Sequence, residues 1–294
     1  MFNVRTLLAN AGSKEQHKKE LLIARDAEGR PAAEKKMVPI EGIFQAAFFR
    51  TGTSLEEQKK IVGEYEKTIS TLSTPIDNWI NKLQAQNSNN YEVSIRLPEE
   101  LMLITASIVF HKIHGPRYER DSDMVSFILR REFNCQVSTT IMADIITRLG
   151  GEVKIKALKG HVVLASRSYV LETTKNPEEA PLLPESEFDE RHQVRMDGGV
   201  ELLEAMAWTS RGGFLANQLR LDESLEAINR ALEINPKEMW AMLNKGIVLY
   251  MKGRYIDALE ALDEALNINP NIAAAQFRRN IILQMMGRNS KLSE

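Results

Sequence analysis

Apolar and polar positions divide the chain into three stretches of different character. From Ser54 the period is helical: Ser54 and Glu57 have the spacing of a capping box, and Ile61, Tyr65, Ile69 and Leu72 recur about once per turn. Pro75 is expected to restart a helix carrying Ile76, Trp79, Ile80 and Leu83, followed by a polar loop from Gln84 to Asn90. Tyr91 to Leu97 alternates like a strand, and Pro98-Glu99-Glu100 reads as the opening of another helix. Asp121-Ser122-Asp123 caps a further helix through Ile128 and Leu129 that is expected to end near Asn134.

The middle stretch changes period. Val137, Ile141, Met142, Ile145, Ile146 and Leu149 line a wide helical face closed by Gly150-Gly151. Strand-like runs follow at Glu152 to Leu158, His161 to Ser166 and Tyr169 to Thr173, with Lys159-Gly160 and Arg167-Ser168 as tight turns. A helix feeding an antiparallel meander is an α+β arrangement. Pro177, Pro181 and Pro184 among Glu178, Glu179, Glu185, Glu187, Asp189 and Glu190 read as an acidic connector over residues 177–200. Residues 1–40, rich in Lys, Glu, Gly and Ala, read as a tail or a short helix, which leaves 41–176 as the α+β unit.

The last stretch, 201–294, repeats. Leu225 to Pro236 (LEAINRALEINP) and Leu259 to Pro270 (LEALDEALNINP) agree at 8 of 12 positions at an offset of 34 residues. The period resembles that of the tetratricopeptide repeat, and the resemblance puts Gly212 and Gly246 at its small first-helix position, with Ser224 and Ala258 at the second-helix contact. Ala231 and Ala265 lie near the second-helix ends, and Pro236 and Pro270 close the units. Trp208 takes the early aromatic position and Met242 its counterpart. Two units and a single third helix from Asn271 make a short stack, expected to lean on its neighbour or on a partner. The resemblance implies that Trp240, Asn244, Ile247, Tyr250, Phe277, Arg278 and Ile281 face a groove. There Asn244 and Arg278, one repeat apart, would hold a peptide carboxylate or backbone; the alternative is that these side chains serve packing between repeats.

The bulk numbers narrow the classes. With 43% hydrophobic and 27% charged residues the composition is that of a globular protein, and a net charge of −2 leaves no electrostatic footprint for nucleic acid or an anionic membrane. The longest apolar run, Leu101 to Phe110, is half of the about 20 residues that span a bilayer. The N-terminal residues lack the pattern of a secretory signal, so a cytoplasmic location is expected. A lone cysteine needs no oxidising compartment. His111 and His114 lack the further ligands of a zinc site, no phosphate loop follows Gly150-Gly151, and no cofactor or metal is expected.

The chemistry centres on that cysteine. Asn134 is a suitable N-cap, which would put Cys135 in the first helical turn, where unpaired amides favour a thiolate. The amides there, with Asn134 and Gln136, are candidates for capping or for an oxyanion site. His161 begins one strand and Glu172 ends the next, so the Arg167-Ser168 turn would bring them together. The stretches Asn134-Cys135, Gly160-His161-Val162-Val163-Leu164 and Val170-Leu171-Glu172-Thr173-Thr174 resemble the transglutaminase-like, papain-related superfamily over roughly residues 120–176. That resemblance implies Cys135 as nucleophile, His161 as base and Glu172 as orienter, Glu standing where the family usually has Asp. The expected function is thiol-dependent hydrolysis of a peptide or amide, with the repeats positioning a protein partner. The alternative is a non-catalytic adaptor with a degenerate core.

Overall fold

The computed structural model describes residues 37–49, 51–86, 103, 106–107, 110–111, 117–119, 122–149, 151–158, 160–175, 182–191 and 196–292. The strand expected at 91–97, the Pro98 helix start, most of residues 1–40 and His114 lie outside the described residues. The chain is mostly helical, with a small antiparallel sheet and paired helices at its C-terminal end.

Two helices open the described chain: α1 (Ile40–Phe48) and α2 (Leu55–Gln86). Helix α1 lies just past the expected tail. Its buried Ile40, Ile43, Phe44 and Ala47 have helical spacing that was there to be read. Helix α2 starts as its capping box predicts, with the Ser54 amide and hydroxyl both donating to Glu57. It then runs through Pro75, where the sequence reading places a break. A proline removes one helical hydrogen bond without forcing a stop. Just before it, the hydroxyls of Thr71 and Thr74 fold back onto the carbonyls of Lys67 and Ser70.

A two-residue strand β1 (Arg117–Tyr118) pairs in parallel with β2 (Glu132–Phe133), and between them lies α3 (Met124–Arg130). Asp123 caps α3 by accepting the Ser126 amide, and Arg131, in the left-handed region at φ 62°, ends it earlier than expected. Strands β3 (Lys154–Leu158), β4 (His161–Ala165) and β5 (Tyr169–Leu171) form the expected antiparallel meander, in the order β5-β4-β3. Helix α4 (Cys135–Arg148) precedes them and packs on β4.

The stretch expected to be a connector completes this sheet. Strand β6 (Leu183–Pro184) pairs with β5, β7 (Met196–Gly198) pairs with β3, and α5 (Glu185–Arg191) lies between them. The cause is Lys156 on β3. Its side chain is only 1% exposed, and its ammonium meets Glu185 at 2.8 Å, Asp189 at 3.1 Å and Asp197 at 2.7 Å. Those contacts hold its pKa well above the ordinary lysine value against the opposing effect of burial. Glu185 and Asp189 of the acidic run, with Asp197, are therefore counter-charges of a buried lysine rather than parts of a solvated linker.

The repeat helices are α6 (Glu201–Asn217), α7 (Leu221–Ile234), α8 (Met239–Met251), α9 (Tyr255–Ile268) and α10 (Ala273–Leu292). Their closest approaches fall at the predicted glycines. A Cβ on Gly212 would come within 2.5 Å of Ile228, and one on Gly246 within 2.6 Å of Leu262. The stack leans on the N-terminal unit as expected. The Trp208 ring meets Phe49 edge-on at 5.3 Å, Arg211 donates to the Phe49 carbonyl at 2.8 Å, and Leu202 and Leu203 enter the core shared by α1, α2, α4 and the sheet.

Lys156→Met is expected to destabilise the protein by about 1–2 kcal/mol, the three carboxylates being partly exposed and able to turn to water. Amide hydrogen exchange will read the change as faster exchange in residues 182–198, with the repeat helices unaffected.

Candidate functional site

Each candidate catalytic side chain is delivered by a distinct local device. Asn134 caps α4 by accepting the Val137 amide at 3.0 Å, while its own amide donates to the Ser122 carbonyl at 2.7 Å. Cys135 is thereby the first residue of the helix, partly buried. Gly160, at φ 73°, turns the chain into β4, where His161 is the first residue, opposite Leu158. Ser166 and Tyr169 close the predicted two-residue turn at Arg167-Ser168, the Ser166 amide donating at 2.8 Å.

The register across that turn pairs Leu164 with Leu171 and Ala165 with Val170. Continued by one residue, it sets Glu172 across from Val163, with His161 two residues further along on the same side of the pleat. Such a diagonal is roughly 7–8 Å between backbones and needs a long side chain. Glu172 covers it, its Oε2 lying 2.6 Å from His161 Nε2. Its other oxygen accepts the Thr174 amide at 3.0 Å and the Thr174 hydroxyl at 2.7 Å. The extra methylene relative to Asp is what closes the gap.

Between them, Thr173 is fully buried and faces α4. The Ser138 hydroxyl donates to it at 3.0 Å, and its oxygen lies 2.8 Å from that of Thr139. The first turns of the cysteine helix are thus tied to the segment that carries the carboxylate. Thr173 and its partners carry no sequence expectation; their signal is a run of hydroxyl residues, Ser138-Thr139-Thr140, on a deeply buried helix.

The electrostatics follow from this geometry. A side-chain hydrogen bond with Cys135, then one with Glu172, raises the His161 pKa to about 10 in spite of burial. Since Glu172 holds Nε2, Nδ1 is the ring nitrogen left for the thiol. Burial pushes Glu172 up, but the hydrogen bonds from His161 and Thr174 outweigh it, and its pKa lies below the ordinary value.

Cys135 and His161 open onto a cleft of about 330 Å³ lined also by Asn134, Gln136, Met206, Ser210, Glu238, Met239 and Trp240. Its far wall is built by α6 and the start of α8, so the repeats face the thiol directly. Gln136, expected as a capping or oxyanion group, spends its side chain here instead. Its amide reaches the Leu203 carbonyl at 3.5 Å, and its oxygen accepts from Ser210 at 3.2 Å, which fastens α4 to α6.

Of the residues expected to share one partner groove, Tyr250 and Arg278 are in contact. Trp240 lines the thiol cleft, Asn244 lies against Gly213 of α6, and Arg278 stacks over the Tyr250 ring at 5.8 Å. Tyr250 also packs beside Tyr255 in the repeat core. His111 sits edge-on to Phe110 and Phe133 in the N-terminal core.

Residues 240–272 match the family model of the tetratricopeptide repeat. The chain carries a tetratricopeptide repeat. No curated protein matches it. Among solved structures, one similar to it is described as "Crystal structure of menin reveals the binding site for Mixed Lineage Leukemia (MLL) protein", with 11% identity, a TM-score of 0.38 and 78% of this chain covered. The match spans 64% of that protein's chain, under two thirds of its length, and a likeness of this size identifies neither fold nor function. No helix among the described residues is long and apolar enough to cross a membrane.

The titrations have a definite sign. His161 is raised from 6.5 to about 10, so its stabilising contribution is whole below about 6.5 and is lost as pH climbs through about 10. Glu172 is lowered from 4.5, so its contribution is whole above that value and is lost at more acidic pH. The destabilisation caused by His161→Ala, read from urea midpoints, is expected to be largest between these limits and to shrink toward about pH 10. In NMR titrations, Cys135→Ala and Glu172→Gln are each expected to lower the His161 pKa.

Proposed function

We propose that the chain is a thiol-dependent hydrolase of peptide or amide bonds, with a transglutaminase-like core and repeat helices that wall its cleft. The observation that carries this reading is the His161 ring bonded to Glu172 at 2.6 Å and lining one cleft with Cys135 at the capped start of α4. In this reading the catalytic unit spans 41–176 together with the strands and helix of 182–198, and 201–294 is the repeat unit.

The raised pKa of His161 supports an ion-pair mechanism, in which the imidazole already carries the proton when substrate arrives. The Cys135 sulfur forms a bond to the carbonyl carbon, and the carbonyl π pair moves onto oxygen. Asn134 consumes the α4 amides of Val137 and Ser138 through its side chain and carbonyl, which leaves those of Cys135 and Gln136 to face that oxygen. Collapse breaks the carbon–nitrogen bond, and the amine leaves with the His161 proton. Water then attacks the thioester as neutral His161 takes its proton, and the carbon–sulfur bond breaks to restore the pair. Glu172 holds the ring in place throughout.

A second reading has its own support. The tetratricopeptide match points to protein–protein interaction, and a core kept only as a scaffold would make the chain an adaptor for a protein partner. Alkylation separates the two, because Cys135 is the only cysteine and every adduct reports on it. Near pH 6, iodoacetamide is expected to label Cys135 at least about tenfold faster than a simple thiol, and His161→Ala to remove that advantage. Labelling that tracks a simple thiol and ignores His161→Ala would leave the adaptor reading.

A further inference from the structure

Glu238 is the one carboxylate that the repeats bring to the thiol cleft, and it stands in an unusual place. At the repeat offset of 34 residues it corresponds to Ile272, which is buried in the repeat core. Glu238 is itself only 2% exposed. A carboxyl at a position the next unit fills with isoleucine is costly to bury. Just before α8, its carboxyl takes the Trp240 amide and, at 3.4 Å, the Asn235 side-chain amide. Burial raises its pKa to about 7, with the Trp240 amide and Asn235 opposing only in part.

The surroundings select what could meet it. Trp240, two residues on, offers an aromatic ring to the same cleft; it corresponds to the small Ala274 of the next unit. Among the described residues lining the cleft there is neither Lys nor Arg, and His161 is already engaged by Glu172 and Cys135. A carboxylate and an indole without a protein cation between them suit an ammonium group.

We propose that Glu238 is the specificity residue of this cleft and, with Trp240, seats a primary ammonium group carried by the acyl substrate. The inference rests on the hydrolase reading above and names its substrate class.

Two methanethiosulfonates test it, the 2-aminoethyl reagent, which is cationic, and the neutral methyl reagent. In both, the thiolate attacks the sulfenyl sulfur, a disulfide bond forms, and methanesulfinate departs with the bonding pair. Rates are taken near pH 8, above the carboxyl pKa, and the cationic-to-neutral ratio at Cys135 is divided by that of 2-mercaptoethanol. The normalised ratio is expected to be about tenfold above unity, given the strength of a close charge pair in a partly screened site. Glu238→Gln should bring it near unity. Glu238→Ile, the residue of the next repeat, should do the same and guards against a folding defect in the first variant, with circular dichroism as the check. A ratio near unity in the wild type, or one that both folded variants retain, overturns the ammonium subsite. A methyl-reagent rate indifferent to His161→Ala would instead overturn the hydrolase reading, so the two failures are distinguishable.

Discussion

Helix α4 is buried along 11 consecutive residues, Val137 to Thr147, and 5 of these are polar: Ser138, Thr139, Thr140, Asp144 and Thr147. A helix sunk this deeply cannot leave those groups to water, so its neighbours must supply partners. Thr173 answers Ser138 and Thr139, and this fixes where β5 ends. Tyr65 answers Asp144 at 2.6 Å, and Arg148 bridges the same carboxylate to Glu66, which fixes α2. Burial pushes up the pKa of both Tyr65 and Asp144, so Tyr65 stays a neutral donor to that carboxylate. The candidate site inherits its geometry from this arrangement: once Thr173 is pinned to the first turn of α4, Glu172 can only stand beside it, facing His161.

The same logic extends to the repeats. A stack of two units and one further helix exposes an end that a longer solenoid would cover. Here α6 presses that end onto α1 and α4, with Trp208 against Phe49 and Gln136 spanning to Leu203 and Ser210. The cleft is the residue of imperfect contact along this seam, which explains why 6 of its 15 lining residues belong to the repeats.

Short-range patterns in the sequence were legible and long-range charge was not. The Asn134 cap, the two tight turns of the meander and the 34-residue period each depend on a few adjacent residues, and each stands where it was read. Pro75 and the acidic run at 177–200 misled because their outcome depends on distant groups. Lys156 is 29 residues before Glu185 in the chain, and nothing local marks it as the one lysine whose burial recruits Glu185, Asp189 and Asp197. The catalytic candidates came together because two hairpin turns carry them. Glu238 did not, because its meaning appears only on setting the repeats side by side, where a carboxyl replaces Ile272.

Glu and Asp at position 172 would look interchangeable, but register gives the longer side chain a specific meaning. Past the end of β5 the chain turns at Thr173-Thr174, and the Thr174 amide and hydroxyl both donate to Glu172. A carboxylate one position nearer the turn than Thr173, on the same side of the pleat as His161, must reach diagonally. It gains in return a neighbour that holds its second oxygen. An Asp there would keep the Thr174 bonds and fall short of the imidazole, since those bonds sit two residues from its own backbone and the ring lies across the strand gap. The longer acid is therefore matched to this hairpin, and Thr174 supplies the rigidity that the added methylene would otherwise cost.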